Sequence, residues 1–198
     1  MSTEFKPITL SSKVVVSDPC YSRDTWCMGF LENVKPGNFT PILEYEDREE
    51  RVRELTVVHE SKSYIPPSSW EKQDFEVGVD SGQAGIFCDT IYPVGKETGE
   101  YGDKSTFYGT CCEATLGEGY RAIEKWGRDG QKGPRPEWNQ GDTVFGKGLV
   151  SSSGYGDGGY DCFVARNAEG QIIAIKIEFI PEDVEDDYEE EEEVNEED

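Results

Sequence analysis

The chain has 198 residues, 35% of them hydrophobic, and a formal net charge of −23 at pH 7. This length suits one domain that buries a core without help from disulfides or metals. The charge disfavours direct binding of nucleic acid or of anionic membranes, because both interactions neutralise negative charge with Lys and Arg. The sequence has no signal-peptide-like start and no apolar run near the ~20 residues of a membrane span, so we expect a cytoplasmic protein.

Strand-like runs, rich in β-branched and aromatic residues, recur at short intervals along the chain. In chain order they are Lys13–Ser17, Met28–Val34, Phe39–Tyr45, Arg51–Glu60, Phe75–Val79, Gly85–Cys88, Thr106–Cys112, Val144–Ser151, Asp161–Arg166 and Gln171–Phe179. The best candidate for a helix is short, residues 120–126. With 22 Gly and 10 Pro, this spacing predicts an all-β fold, mainly an antiparallel sandwich or barrel with long loops and at most one or two short helices.

The last 18 residues, 181–198, contain 13 acids and no Lys or Arg, which leaves −10 for residues 1–180. Such a self-repelling block buries too little apolar surface to order itself, so we predict a disordered acidic tail after one β-rich domain. An acidic body and tail attract a basic protein surface, such as that of a nucleic-acid-binding protein, in a salt-sensitive association. The alternative is that the acids only confer solubility.

A glycine-rich acidic loop, Ser153–Asp161, precedes the last two predicted strands and has four glycines in nine positions. Either a tight bulge or the close approach of a ligand would explain so many glycines. Tyr155, Asp157 and Tyr160 are the candidate binding residues of this loop. The four tryptophans lie in predicted loops, where we expect lids on the core rather than a recognition surface; they are Trp26, Trp70, Trp126 and Trp138.

No residue pattern predicts a catalytic group. The one histidine, His59, lies in a predicted strand without Cys or His at metal-ligand spacing, which argues against zinc and against a Ser-His or Cys-His nucleophile. The gap between Cys20 and Cys27 does not match the redox C-x-x-C spacing. The adjacent Cys111 and Cys112, on a predicted strand, would point one inward and one outward as small hydrophobic residues. We therefore assign no catalytic residue and no cofactor.

Aspartates occupy three strand-to-turn positions, Asp18, Asp80 and Asp157. Aspartate at such a position commonly accepts hydrogen bonds from the backbone of its own turn. If the fold brought the three together with Asp161, their oxygens would form a site for Ca²⁺ or Mg²⁺. A metal-dependent hydrolase or lyase would then be possible.

Three sequence motifs carry a resemblance to a known family: Ser17–Pro19, Val79–Gly85 and Ser152–Tyr160. Their order resembles the domain-of-unknown-function family 4241 of bacteria and phages, over most of residues 10–180. The most specific element is the glycine-rich loop, carried by Ser153, Gly154, Gly156, Asp157, Gly158 and Tyr160. The resemblance implies a compact β-rich domain of bacterial or phage origin, and it implies no reaction type.

The leading functional hypothesis is a non-enzymatic acidic binding protein, encoded by a phage and acting in the bacterial cytoplasm. Its acidic face and tail would engage a basic site on a host or viral protein, including by mimicry of a polyanion such as DNA. The alternatives are the metal-dependent hydrolase or lyase and a component of a virion or of its assembly.

Overall fold

The computed structural model describes residues 5–46, 51–95, 98–100, 103–115 and 141–181. In this part of the chain eleven strands follow one another. They are β1 (Ile8–Leu10), β2 (Lys13–Ser17), β3 (Gly29–Glu32), β4 (Gly37–Tyr45), β5 (Val52–His59), β6 (Glu71–Val79), β7 (Gln83–Cys88), β8 (Gly141–Val144), β9 (Gly148–Ser152), β10 (Gly158–Arg166) and β11 (Ile172–Glu178). A 3₁₀ turn covers Pro67–Ser69, and a helix, α1, covers residues 107–115.

The strands form two antiparallel sheets. The six-stranded sheet has the order β1-β4-β5-β11-β10-β6, and the five-stranded sheet has the order β3-β2-β7-β9-β8. Apolar side chains from the inner faces of both sheets pack into one core, as in a β-sandwich. The predicted all-β, antiparallel fold is therefore confirmed.

The core follows from the alternation of side chains along each strand. In β5, Leu55 and Val57 are fully buried between the sheets, and from the other sheet Ile86 and Leu149 meet them with no exposed surface. Burying an aliphatic side chain of this size contributes roughly 1.5–3 kcal/mol, so the sandwich rests on these inward-facing positions.

The predicted strand Thr106–Cys112 is wrong, because residues 107–115 form α1. The Thr106 hydroxyl accepts a hydrogen bond from the backbone N–H of Gly109 at 3.1 Å, as an N-cap residue does. Phe107 and Cys111, one helical turn apart, pack on the outer face of the five-stranded sheet beside Phe87. Since the segment is helical, Cys111 and the neighbouring Cys112 are both buried, and the predicted inward and outward alternation is also wrong.

The predicted strand Val144–Ser151 divides into β8 and β9. Phe145 and Gly146 between them have φ of 53° and 62°, as a tight hairpin turn requires at both central positions. The predicted short helix at 120–126 lies outside the described residues, and so does the predicted disordered tail except for Pro181. In the described residues we find no helix with the length and apolar character needed to cross a membrane.

Candidate functional site

Asp18 lies directly after β2 and is fully buried. Its carboxylate accepts four hydrogen bonds, from the backbone N–H groups of Cys20 at 2.8 Å, Asp80 at 2.9 Å and Ser81 at 2.8 Å, and from the Ser81 hydroxyl at 2.7 Å. Charge-assisted hydrogen bonds of this kind can compensate a buried carboxylate for the loss of water. Asp18 therefore fixes the turn that carries the chain from β6 in one sheet to β7 in the other.

The same turn holds the glycine-rich loop, because the backbone N–H of Ser153 donates to the carbonyl oxygen of Gly82 at 3.0 Å. Within the loop, the Ser153 hydroxyl donates to the Gly156 carbonyl at 2.8 Å. The Tyr160 hydroxyl lies 2.9 Å from the Ser153 carbonyl and 2.7 Å from the Gly156 carbonyl, and donates to them. The first part of the loop is thus a tight turn closed by its own hydrogen bonds, and this accounts for Gly154 and Gly156 without a ligand.

Gly154 and Gly156 of this loop have a backbone that other residues rarely adopt. Gly154 has φ of 55° and Gly156 has φ of 109°. A Cβ atom on Gly154 would lie 3.0 Å from Cβ of Phe179 and 3.1 Å from Cγ1 of Ile180, so this glycine also lets the loop pack against the end of the last strand.

A cleft of about 450 Å³ opens beside this turn and loop. Its floor is the outer face of β6 and β10, where Gly78 and Gly159 are register partners without side chains. Its wall is the segment between β2 and β3, held against the sheet by a hydrogen bond from Gly78 N–H to the Cys27 carbonyl at 2.9 Å. The described lining residues are Tyr21, Trp26, Cys27, Glu76, Gly78, Val79, Asp80, Asp157, Gly158 and Gly159.

The cleft is acidic and partly aromatic. Glu76, Asp80 and Asp157 line it, and none of its described lining residues is Lys, Arg or His. Burial, and after it the interaction with the Asp80 carboxylate, raises the pKa of Tyr21 far above its ordinary value. The phenol therefore stays a neutral donor, while the Trp26 side chain is 92% exposed at the cleft.

The structure separates the four aspartates that the sequence suggested as metal ligands. Asp80 and Asp157 share the cleft, Asp18 is occupied by the turn, and Asp161 forms an ion pair with Lys72 at 2.6 Å. Across the described residues, no three His, Cys, Asp or Glu side chains are grouped so that they could hold a metal ion. The four aspartates therefore do not form one site, and Asp18 instead accepts hydrogen bonds from the backbone of turns.

The three candidate binding residues of the loop also separate. Asp157 lines the cleft, whereas the Tyr160 hydroxyl is used inside the loop. Tyr155 is 61% exposed, and the Arg51 guanidinium carbon lies 4.7 Å from the centre of its ring. Tyr155 does not line the cleft.

Two thiols of the described residues, Cys20 and Cys111, are held in their protonated form. Burial, with a contribution from the Asp18 charge, raises the pKa of the Cys20 thiol far above its ordinary value, and burial does the same for Cys111. Since the thiolate is the nucleophilic form, both side chains are poor nucleophiles at neutral pH.

Sequence reasoning missed Tyr21, Cys27 and Glu76, and it misassigned Trp26. The exposed Trp26 is not a lid on the core, so that expectation is wrong for this residue. Trp70 does pack beside a small buried cluster on the outer face of the six-stranded sheet, and Trp126 and Trp138 lie outside the described residues. The signal that was available for Trp26 was its position in a turn between cysteines, without an apolar strand around it.

The three motifs that carry the resemblance meet in this one region, since Asp18, the turn after β6 and the glycine-rich loop are joined by hydrogen bonds. Residues 9–177 match a family described as "Protein of unknown function (DUF4241)". The chain belongs to this family. The match includes every strand except the start of β1 and the end of β11. Neither a curated protein nor a solved structure matches the chain.

Proposed function

We propose that this protein is a non-enzymatic acidic binding protein that engages a basic site on a host or viral protein. The observation that carries the proposal is the cleft, in which Glu76, Asp80 and Asp157 are not balanced by Lys, Arg or His among the described lining residues. A basic group entering the cleft would supply that balance. We extend the proposal to a phage-encoded protein of the bacterial cytoplasm, for which the family resemblance is the support.

The overall charge supports a basic partner. At −23 the chain repels nucleic acid, anionic membranes and other copies of itself, and attracts cationic surfaces. The 13 acids of residues 181–198 would add to this attraction and imitate the charge density of a polyanion. At physiological salt such attraction is screened beyond ~8 Å, so it would steer association, and contacts inside the cleft would provide the affinity.

Affinity capture from bacterial lysate, followed by mass spectrometry and calorimetry with the identified protein, tests the proposal. The baits are the full chain, a chain ending at Ile180, and a triple variant with Glu76→Gln, Asp80→Asn and Asp157→Asn. A second triple variant, with Asp74→Asn, Asp142→Asn and Glu169→Gln, removes the same charge at exposed positions outside the cleft.

We expect a basic protein that the full chain and the control triple variant retain and that the cleft variant loses. Raising the salt should weaken its binding, and removing residues 181–198 should slow its association. A partner that binds with the same affinity after the cleft substitutions and at high salt contradicts the proposal. Co-sedimentation with virus particles, without such a partner, would favour a virion or assembly component.

A further inference from the structure

The geometry points to one particular occupant of the cleft: we infer that it receives an arginine side chain of the basic partner. This inference rests on the proposed function and names the group that the partner supplies. The cleft offers a glycine floor, carboxylates at its sides and an exposed indole ring, Trp26.

The glycine floor creates the space. Val77 and Val79 of β6 point into the core, so Glu76, Gly78 and Asp80 share the outer face of the sheet. On β10 the partner of Gly78 is Gly159, and a Cβ atom there would lie 3.1 Å from Oε2 of Glu76. A side chain at position 159 would therefore take the volume in front of Glu76, which Gly159 leaves to a ligand, whereas the Cys27 side chain packs against Gly78.

The carboxylates suit an extended cation better than a metal ion. A metal needs its oxygen ligands to converge on one point at ~2.0–2.6 Å, and the described acids of this cleft are not grouped in that way. A guanidinium group instead spreads its N–H donors around a plane and can serve carboxylates on different sides. Along the strands, Glu76 lies on one side of the Gly78–Gly159 pair, and Asp80 at the end of β6 and Asp157 before β10 lie on the other.

The aromatic side chains favour guanidinium over ammonium. A guanidinium is planar and weakly hydrated, so it stacks on an indole ring while its edge donates to carboxylates. Trp26 exposes 92% of its surface where the cleft opens, and the aromatic side chain of Tyr21 lines the same cleft as Asp80. An ammonium group is a compact, strongly hydrated charge and gains less from this combination.

The test is calorimetric titration of the full chain with two charge-matched peptides, acetylated pentalysine and the same peptide with arginine at its centre. General attraction, including attraction to residues 181–198, contributes equally to both peptides, so the ratio of their dissociation constants isolates the arginine. We expect the arginine peptide to bind about tenfold more tightly. The variants Trp26→Ala and Gly159→Val should reduce this ratio to within about twofold, the second by filling the cleft without a change of charge.

The control is Glu169→Gln, which removes one negative charge from the exposed turn between β10 and β11 and should preserve the ratio. Thermal unfolding checks that each variant folds, and Trp26→Ala, at an exposed position, keeps the test decisive if Gly159→Val does not fold. Equal binding of the two peptides with salt-sensitive affinity would overturn the arginine inference and leave the proposed function standing. No binding of either peptide at low salt would overturn both.

Discussion

Asp18 and Ser81 are joined by two short hydrogen bonds, from the Ser81 backbone N–H to Oδ2 at 2.8 Å and from the Ser81 hydroxyl to Oδ1 at 2.7 Å. Each residue lies beside a strand of a different part of the sandwich, after β2 and after β6. The pair therefore fixes the crossing point between the two sheets. The glycine-rich loop is hydrogen-bonded to Gly82 of the same turn, so the Asp18–Ser81 pair also sets the position of one side of the cleft.

The first prediction concerns this pair. Asp18→Ala leaves the backbone N–H groups of Cys20, Asp80 and Ser81 without their acceptor, and we expect the free energy of unfolding to fall by at least about 3 kcal/mol. Urea denaturation measures the change, with Asp157→Ala at an exposed loop position expected within about 0.5 kcal/mol of the native chain. If both substitutions cost the same, Asp18 does not anchor the turn. Should Asp18→Ala fail to fold, Asp18→Asn should fold with an intermediate loss.

The second prediction separates backbone conformation from packing in the glycine-rich loop. Gly170 has φ of 77° with no atom within 4 Å of an added Cβ, so Gly170→Ala should cost about 1 kcal/mol for its left-handed backbone alone. Gly154→Ala adds the contacts with Phe179 and Ile180, and we expect a loss of about 2–3 kcal/mol. Equal losses of unfolding free energy in urea would show that Gly154 does not pack closely.

The third prediction concerns the hydroxyl of Tyr160. Tyr160→Phe keeps the ring on Phe179, at a centroid distance of 5.1 Å, and removes the donor to the Ser153 and Gly156 carbonyls. We expect a loss of about 1–2 kcal/mol in the free energy of unfolding. Tyr155→Phe, at an exposed ring, is the matched control and should change it by less than about 0.5 kcal/mol. A larger effect at Tyr155 would mean that the loop is held in another way.

The fourth prediction concerns alkaline pH. Burial raises the pKa of the Cys20, Cys111 and Cys162 thiols above their ordinary value of 9.0, so above that pH the unfolded chain releases protons that the folded chain keeps. Stability is then fully present below about pH 9 and declines at higher pH, by about 1.4 kcal/mol per pH unit for each such thiol.

Urea denaturation under reducing conditions at several pH values on both sides of 9 measures this slope. Cys162→Ala removes one of the thiols and should make the slope shallower by about 1.4 kcal/mol per pH unit. An unfolding free energy that is constant up to pH 10.5 would contradict this assignment of buried, protonated thiols.

Much of the sandwich could be predicted because the apolar and β-branched residues of its buried strands are recognisable in the sequence. Lys13–Ser17 contains three successive valines, and the hairpin of β10 and β11 combines β-branched residues with a glycine turn, so the local pattern was enough to predict both. The local pattern gave a wrong prediction at α1, because Phe107 and the two cysteines are residues typical of a strand. The signal for a helix is Thr106, whose hydroxyl caps the N-terminus of α1. The local pattern failed again at Phe145, a bulky residue with positive φ that ends β8.

The cleft could be predicted only in part. Asp80 and Asp157 were recognisable as turn residues of an acidic protein, yet their meeting depends on the register of β6 with β10. The contribution of Tyr21 and Trp26 depends on where the segment after β2 packs, which is a long-range contact with Gly78. Sequence periodicity contains no information on such a contact, so the wall of the cleft was missed.

That contact at Gly78 also bears on how the protein avoids aggregation. β6 is an edge of the six-stranded sheet, and an open edge is a template for strand addition by other chains. The Cys27 carbonyl occupies the N–H of Gly78, and the approach is so close that a Cβ atom there would lie 2.7 Å from Cβ of Cys27. Gly78 thus lets a loop cover the edge of β6 where the cleft lies. Along the rest of the strand, charged side chains such as Lys72 and Asp74 disfavour the addition of a strand from another chain.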